Sequence, residues 1–233
     1  MKIFKSTFLI CSILCVFGAK SQNMGFIDYD IEIKGVTPDL KKAAALLIDS
    51  KMKMSYIDSA VRQDYTLGQV TKKTTILNYK LNQAIYYENG MTGKSGIFGT
   101  CDQISSLIQV DTTAKIEFTK ETKIILTFVC KKAILHFNSG EVAEYWYTNE
   151  IPLKLPKHSF FNAKIPGVIL EFSTTANGFF MRFKCSNYGD KLEGIDTLFD
   201  PKTTRDYKMM GFSTYIQYLY IQQQEKLKNN PEN

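Results

Sequence analysis

Three kinds of side chain in this 233-residue chain could take part in chemistry: two histidines, several closely spaced carboxylates and five cysteines. A histidine acts as a general base or a metal ligand when a carboxylate or a second ligand lies nearby. His136 lies in an apolar stretch, which favours a hydrogen-bonded structural histidine over a ligand or a base. His158 has no acidic neighbour at ligand spacing. The two histidines therefore predict no metal site.

Carboxylates recur at every second position near the N-terminus, at Asp28, Asp30 and Glu32. This spacing puts them on one side of a β-strand, where a solvated face is the usual environment and acid–base catalysis is not. The sequence also lacks the Gly-x-Ser-x-Gly, phosphate-loop and His-Glu-x-x-His motifs. We therefore expect no catalytic, cofactor-binding or metal-binding residues.

The first 21 residues, MKIFKSTFLICSILCVFGAKS, have the organisation of a secretory signal peptide. Lysines precede a short apolar segment from Phe8 to Phe17, and Ala19-Lys20-Ser21 is a small-x-small cleavage site. The apolar segment is too short for a membrane span, which takes about 20 residues. An N-terminal core helix and lipid attachment at Cys15 are the alternatives. We predict export to the periplasm or the extracellular space, and a mature chain that begins near Gln22.

Export would change both the charge and the number of cysteines. The chain carries +6, and removal of the three lysines in residues 1–21 leaves +3, which predicts no nucleic-acid partner. The cysteines that remain are Cys101, Cys130 and Cys185. Two of them could pair in an oxidising compartment, and the sequence does not say which two. Cys130 and Cys185 lie in apolar stretches, so small buried side chains are the alternative.

Alternation of apolar and polar residues predicts strands over most of the first half. FIDYDIEIK, residues 26–34, is a half-buried strand, and Thr37 and Pro38 begin a helix of about three turns. Short strands follow, with a turn at Asp58-Ser59 and a hairpin turn at Asn89-Gly90. Residues 101–112 fit either a helical turn or a loop.

The second half predicts longer strands. Residues 114–118 alternate and TKET makes a turn. The segment KIILTFVCKKAILHF is apolar on both sides, which indicates a strand covered on both faces. Hairpin turns are expected at Asn138-Ser139-Gly140 and Ala176-Asn177-Gly178. A C-terminal helix is expected to point Tyr215 and Leu219 inward.

Together these elements predict a mainly β (α+β) fold, a curved antiparallel sheet or half-barrel covered by a few helices. Strands near 115–148 and 168–187 would form its centre, and helices near 38–50 and 212–227 would cover one face. A sheet of that length must curl and acquire a concave side. We expect one globular β-rich domain over residues 22–228 and a polar tail over residues 229–233.

Three ordered segments carry a resemblance to known proteins: Lys123 to Ala133, Trp146 to Pro152, and Lys164 to Ile169. Together they resemble the GLPGLI family of secreted Bacteroidota proteins and related secreted proteins with a LolA-like fold. Lys164 and Val168 depart from that family's Gly and Leu. The residues that carry the resemblance, as a structural signature, are Cys130, Trp146, Tyr147, Thr148, Pro166 and Gly167.

The resemblance implies a half-barrel closed by helices, and in its carrier relatives the space between sheet and helices holds acyl chains. It transfers no functional residue. The leading hypothesis is an exported non-enzymatic envelope protein that binds a lipid or another apolar ligand. The alternatives are a structural or protein-interaction module of the envelope, and a secreted enzyme.

Overall fold

The computed structural model describes residues 23–91, 93–107, 113–151, 164–200 and 206–229. The predicted signal peptide, His158 and residues 230–233 of the predicted tail lie outside these ranges. The strands are β1 (Gly25–Gly35), β2 (Lys51–Ile57), β3 (Ala60–Leu67), β4 (Thr71–Asn78), β5 (Gln83–Gly90), β6 (Gly93–Gly99), β7 (Lys115–Ile125), β8 (Phe128–His136), β9 (Val142–Thr148), β10 (Val168–Ala176), β11 (Phe179–Gly189) and β12 (Lys208–Gly211). The helices are α1 (Pro38–Ala44), followed by a 3₁₀ turn (Ala45–Leu47), α2 (Cys101–Leu107), α3 (Ile195–Leu198) and α4 (Phe212–Asn229).

All twelve strands of the described residues belong to one sheet, in the order β12-β6-β5-β4-β3-β2-β1-β11-β10-β9-β8-β7. The prediction of a mainly β protein with few helices is confirmed. The sheet is antiparallel except at one edge, where β12 runs parallel to β6, so it is mixed. None of the described helices has the length and apolar character needed to cross a bilayer.

The first strand lies in the middle of the sheet. β1 pairs with β2 on one side and with β11 on the other, and so joins the meander β2–β6 to the meander β7–β11. Tyr29 of β1 is fully buried, donates a hydrogen bond to the carbonyl of Ile169 at 2.6 Å and packs edge-on against Phe172. The prediction that β7–β9 would lie at the centre is wrong, because they form one end of the sheet.

The sheet is curled. Tyr65 of β3 and Phe183 of β11 have ring centroids 6.2 Å apart, although three strand spacings separate them. In a flat sheet three spacings would be about 14 Å. A contact at half that distance requires a concave face, as the sequence predicts.

The first helix is shorter than predicted and covers less of the sheet. Thr37 caps α1 by accepting a hydrogen bond from the Leu40 amide at 3.3 Å, and Pro38 occupies its first turn, as expected. However, α1 ends at Ala44 and none of its residues is buried, so it covers little of the sheet. Residues 101–107 form α2, which resolves an alternative that the sequence left open.

The predicted turn at TKET is wrong. β7 continues through these residues with an irregularity between Phe118 and Thr122, and the chain reverses after Ile125, at Leu126 with a φ of 54°. Polar residues are tolerated there because β7 is the last strand of the sheet and has solvent beside it. For the same reason Ile124 is 72% exposed, so the segment is not covered on both faces.

The hairpin turns at Asn138-Ser139-Gly140 and Ala176-Asn177-Gly178 are confirmed. Gly140 has a φ of 86°, and Asn177 and Gly178 have φ values of 52° and 76°, as tight turns require. Asn89 and Gly90 instead form the last pairs of β5 with β6, opposite Lys94 and Gly93. The reversal comes directly after Gly90, since the ladder extends further than the sequence suggests.

A network of ion pairs lies on the convex face of the sheet and links β7, β10 and β11. Glu171 of β10 is only 4% exposed. Its carboxylate accepts hydrogen bonds from Arg182 and pairs with Lys123 Nζ at 2.8 Å. The Lys123 ammonium lies 4.1 Å from the ring centroid of Trp146. Trp146 is partly buried and packs against the core, and its ring also supports a cation on the outer face.

The Pro166-Gly167 pair has a local structural explanation. Gly167 has a φ of 131°, and a Cβ at this position would collide with the carbonyl oxygen of Thr148 and the side chain of Asn149. The chain therefore enters β10 through a close approach to the end of β9, which only glycine allows. This requirement accounts for Gly167 without any reference to a family signature.

We expect Gly167→Ala to lower the free energy of unfolding by about 1–3 kcal/mol, because it adds a clash to an unfavourable backbone conformation. Urea unfolding followed by circular dichroism measures this loss. Gly140→Ala is the matched control: its φ is also positive, but a Cβ there meets nothing within 4 Å. Equal losses in the two variants would contradict the proposed close approach.

We expect Glu171→Gln to destabilise the protein by roughly 1–3 kcal/mol at pH 7 and by less at pH 3. Burial raises the pKa of Glu171, but hydrogen bonds from Lys123 and Arg182 outweigh burial and hold the pKa below its ordinary value of 4.5. A lowered pKa contributes stability above the ordinary value, and that stability is lost as the pH falls through the folded-state pKa.

Urea unfolding of both proteins at pH 7 and pH 3 checks the Glu171 prediction. Glu144→Gln is the control, because Glu144 forms an exposed ion pair with Lys132, and such pairs contribute at most about 1 kcal/mol. A Glu171 effect that is as large at pH 3 as at pH 7 would show that the charge network is not its source.

Candidate functional site

The concave face of the sheet encloses an open cleft of about 720 Å³. This volume falls in the range of ligand-binding sites, about 300–1,000 Å³. Its lining residues come from both meanders, from α2 and from α4, so the cleft exists only because the sheet curls. They are Gln63, Tyr65, Leu67, Lys73, Thr75, Tyr86, Ile97, Leu107, Phe137, Ser139, Glu141, Val142, Ala143, Tyr145, Phe172, Thr174, Thr175, Met181, Phe183 and Tyr215.

Aromatic rings form the floor of the cleft. Phe172 stacks on Phe183 with centroids 4.3 Å apart and on Tyr145 with centroids 5.6 Å apart. These three residues are cross-strand neighbours on β9, β10 and β11. Tyr65 extends the floor onto β3 through its edge-on contact with Phe183. The floor is therefore mostly apolar, and one end of it carries the Tyr65 hydroxyl.

Polar side chains interrupt this apolar surface on the wall formed by β3, β4 and β5. Gln63, Thr75 and Tyr86 lie side by side, because Gln63 pairs with Thr75 and Thr75 pairs with Tyr86 in the strand register. Gln63 and Thr75 are each 4% exposed. The Gln63 amide nitrogen donates to the Tyr65 hydroxyl at 3.1 Å. Buried polar groups in a cleft can orient a ligand by hydrogen bonds.

The charged groups at the cleft are few. Lys73 Nζ lies 3.5 Å from the Glu88 carboxylate, which also accepts a hydrogen bond from the Tyr86 hydroxyl at 2.8 Å. Burial, together with that hydrogen bond and the Glu88 charge, raises the pKa of Tyr86, so its hydroxyl stays protonated and can donate. Glu141 lies in the connection between β8 and β9 and is exposed.

The residues that the sequence singled out do not come together here. His136 lies at the end of β8 with its Nε2 3.2 Å from Glu117. Asp28, Asp30 and Glu32 lie on the face of β1 opposite to the buried Tyr29, as predicted, and away from the cleft. Among the described residues, no three His, Cys, Asp or Glu side chains are grouped as a metal ion would require.

The three cysteines of the described chain are free and buried. Burial raises the pKa of Cys130 to about 11 and the pKa of Cys185 to about 12. Burial and the nearby Asp102 also raise the pKa of Cys101. A thiol that stays protonated at neutral pH is a poor nucleophile. The cysteines therefore serve as small core side chains, which was one of the two predictions for Cys130 and Cys185.

Sequence reasoning missed the polar wall of the cleft, although a signal was present. In AVRQDYTL, residues 60–67, Gln63 stands on the same strand face as Val61 and Tyr65. Thr75 stands in the same way beside Leu77 on β4. A polar residue on the inward face of a strand must find a hydrogen-bond partner or line a cavity. The presence of Gln63 and Thr75 on otherwise apolar strand faces would therefore have pointed to this wall.

Part of this chain is similar to a known family of proteins. Residues 99–182 match the family model of the N-glycanase peptide, N-terminal domain. Two solved structures of PNGF-II, in space groups C2 and P2₁, cover 85% and 84% of this chain at 16% and 14% identity, with TM-scores of 0.49 and 0.47. The chain spans about a third of the length of these structures, since it covers 33% of each. No curated protein matches the chain.

The family match corrects the resemblance drawn from short segments. Lys123–Ala133, Trp146–Pro152 and Lys164–Ile169 all lie within residues 99–182, which match the N-glycanase domain model. The assignment to the GLPGLI and LolA-like proteins is therefore wrong. The predictions that depended on it, a non-enzymatic envelope protein and a lipid-binding function, are overturned by the same finding, because the matched model describes a domain of an N-glycanase.

We expect Cys101, Cys130 and Cys185 to resist alkylation by iodoacetamide in the folded protein at pH 8, because the three thiols are buried and their pKa values are raised. Mass spectrometry of the cysteine-containing peptides measures the labelled fraction at each position. The same reaction in 8 M urea is the control, in which all three should be labelled. Rapid labelling of Cys130 or Cys185 in native buffer would contradict the buried positions described here.

Proposed function

We propose that this chain is the glycan-recognition domain of an N-glycanase-type enzyme and that it binds the glycan in the concave cleft. The observation that carries this proposal is the overlap of two findings. The residues that match the N-glycanase domain model, 99–182, supply more than half of the residues that line the cleft. They include the β9 and β10 part of the aromatic floor and the connection between β8 and β9.

The chemistry of the cleft suits a sugar. A sugar ring has apolar C–H faces and a rim of hydroxyl groups, so it binds best where flat apolar rings and hydrogen-bonding side chains occur together. A tyrosine supplies an apolar ring and a hydrogen-bonding hydroxyl in the same side chain, and the lining of the cleft includes Tyr65, Tyr86 and Tyr215. Gln63 and Thr75 add hydrogen-bonding groups on the wall.

The cleft is assigned to binding because its described lining contains a single carboxylate, Glu141. Hydrolysis of the bond between a glycan and a peptide uses an acid and a base that are both positioned at that bond. A bond-breaking step would therefore use groups beyond the described lining. In this arrangement the cleft holds the substrate, and its binding energy contributes to positioning the bond to be cleaved.

We expect the protein to bind an N-glycosylated peptide, and Tyr215→Ala to weaken that binding by about tenfold, which corresponds to the loss of one aromatic contact of about 1.4 kcal/mol. Tyr218→Ala is the matched control: it removes the same side chain from the same helix, but Tyr218 is exposed and does not line the cleft. Isothermal titration calorimetry measures both affinities.

The same peptide without its glycan is the second control. If both peptides bind with equal affinity, or if neither binds to the folded protein, the proposed function is wrong. Circular dichroism of each variant separates loss of binding from loss of folding. Incubation of the glycopeptide with the protein, followed by mass spectrometry, reports whether the glycan is also released.

A further inference from the structure

We infer that the cleft selects neutral sugar units and disfavours glycans that carry carboxylate, sulfate or phosphate groups. This inference rests on the proposed function, because it names the class of glycan that the same site accepts. It depends on the charged residues that line the cleft, which are few, and on the ion pair that one of them forms. Among the described lining residues, only Lys73 and Glu141 carry a charge.

The single cation at the cleft is already paired. Lys73 Nζ lies 3.5 Å from the Glu88 carboxylate, and the two residues face each other on neighbouring strands, since Lys73 pairs with Glu88 in the register of β4 and β5. The Tyr86 hydroxyl donates to the same carboxylate at 2.8 Å. An acidic sugar would have to displace Glu88 from Lys73 to gain a cation, and the displaced carboxylate would remain beside it.

The remaining charge at the cleft is negative. Glu141 lies in the connection between β8 and β9, so it approaches the cleft from the opposite half of the sheet to Lys73. With Glu88 paired to Lys73, Glu141 leaves the cleft with one unbalanced negative charge. An anion bound near an exposed carboxylate is repelled, and the repulsion weakens as salt is added.

The positive charge of the chain does not offset this repulsion. The full chain carries +6, but three cations of the described part of the matched region are bound to carboxylates on the convex face. Lys123 and Arg182 are bound to Glu171, and Lys132 is bound to Glu121 and Glu144. The cleft instead presents neutral hydrogen-bonding groups, the Gln63 amide and the hydroxyls of Thr75, Thr174 and Ser139, which suit hydroxyl and acetamido groups.

The test compares one biantennary N-glycan in two forms, with and without its terminal sialic acids, by calorimetry with the full chain. We expect the neutral form to bind at least tenfold more tightly at 20 mM salt, and the difference to shrink at 500 mM salt. Glu141→Gln should reduce the ratio of the two affinities at low salt by about threefold or more.

Glu144→Gln is the matched control, since it changes the net charge by the same amount but lies outside the cleft lining and pairs with Lys132. It should leave the selectivity unchanged. If the sialylated form binds as tightly as the neutral form or more tightly, or if Glu141→Gln narrows the difference no more than Glu144→Gln does, the inference is wrong and the proposed function stands. If neither form binds, the proposed function itself is wrong.

Discussion

The twist of β-strands is the physical constraint on which this structure depends. An open sheet of more than about ten strands cannot stay flat, because each strand is rotated relative to its neighbour. Twelve strands therefore curl until residues three spacings apart touch, as Tyr65 and Phe183 do. The aromatic floor, the polar wall and the cleft between them all follow from that curvature. Two flat sheets with the same residues would form no such site.

The sequence predicted those parts of the fold that depend on local patterns. β1 alternates strictly, so its buried face could be assigned, and Asn177-Gly178 has the composition of a tight turn. It did not predict which strands pair across the sheet, because β1 could have joined any exposed strand. The TKET segment is misleading for a related reason: polar residues signal a turn in an interior strand, but they are also tolerated at the edge, where β7 lies.

The candidate site was harder to predict than the fold. Its polar wall depends on the register of three strands, which brings Gln63, Thr75 and Tyr86 together although they are far apart in sequence. The charge network on the convex face is hidden in the same way, since Lys123 reaches Glu171 across β8 and β9. Short motifs such as Pro166-Gly167 reflect a local backbone requirement, which unrelated proteins can share, and so they gave the wrong family.

The position of β1 has a consequence for how the chain folds. Its partners on β11, such as Phe183 opposite Ile31, lie roughly 150 residues further along the chain, and contacts of such long range form slowly because a large loop must first be closed. The meanders β2–β6 and β7–β11 contain only neighbouring hairpins and can form independently. The cleft, which takes residues from both, appears only after the two meanders join. A chain whose synthesis stops before β11 therefore has strands and hairpins but no binding site.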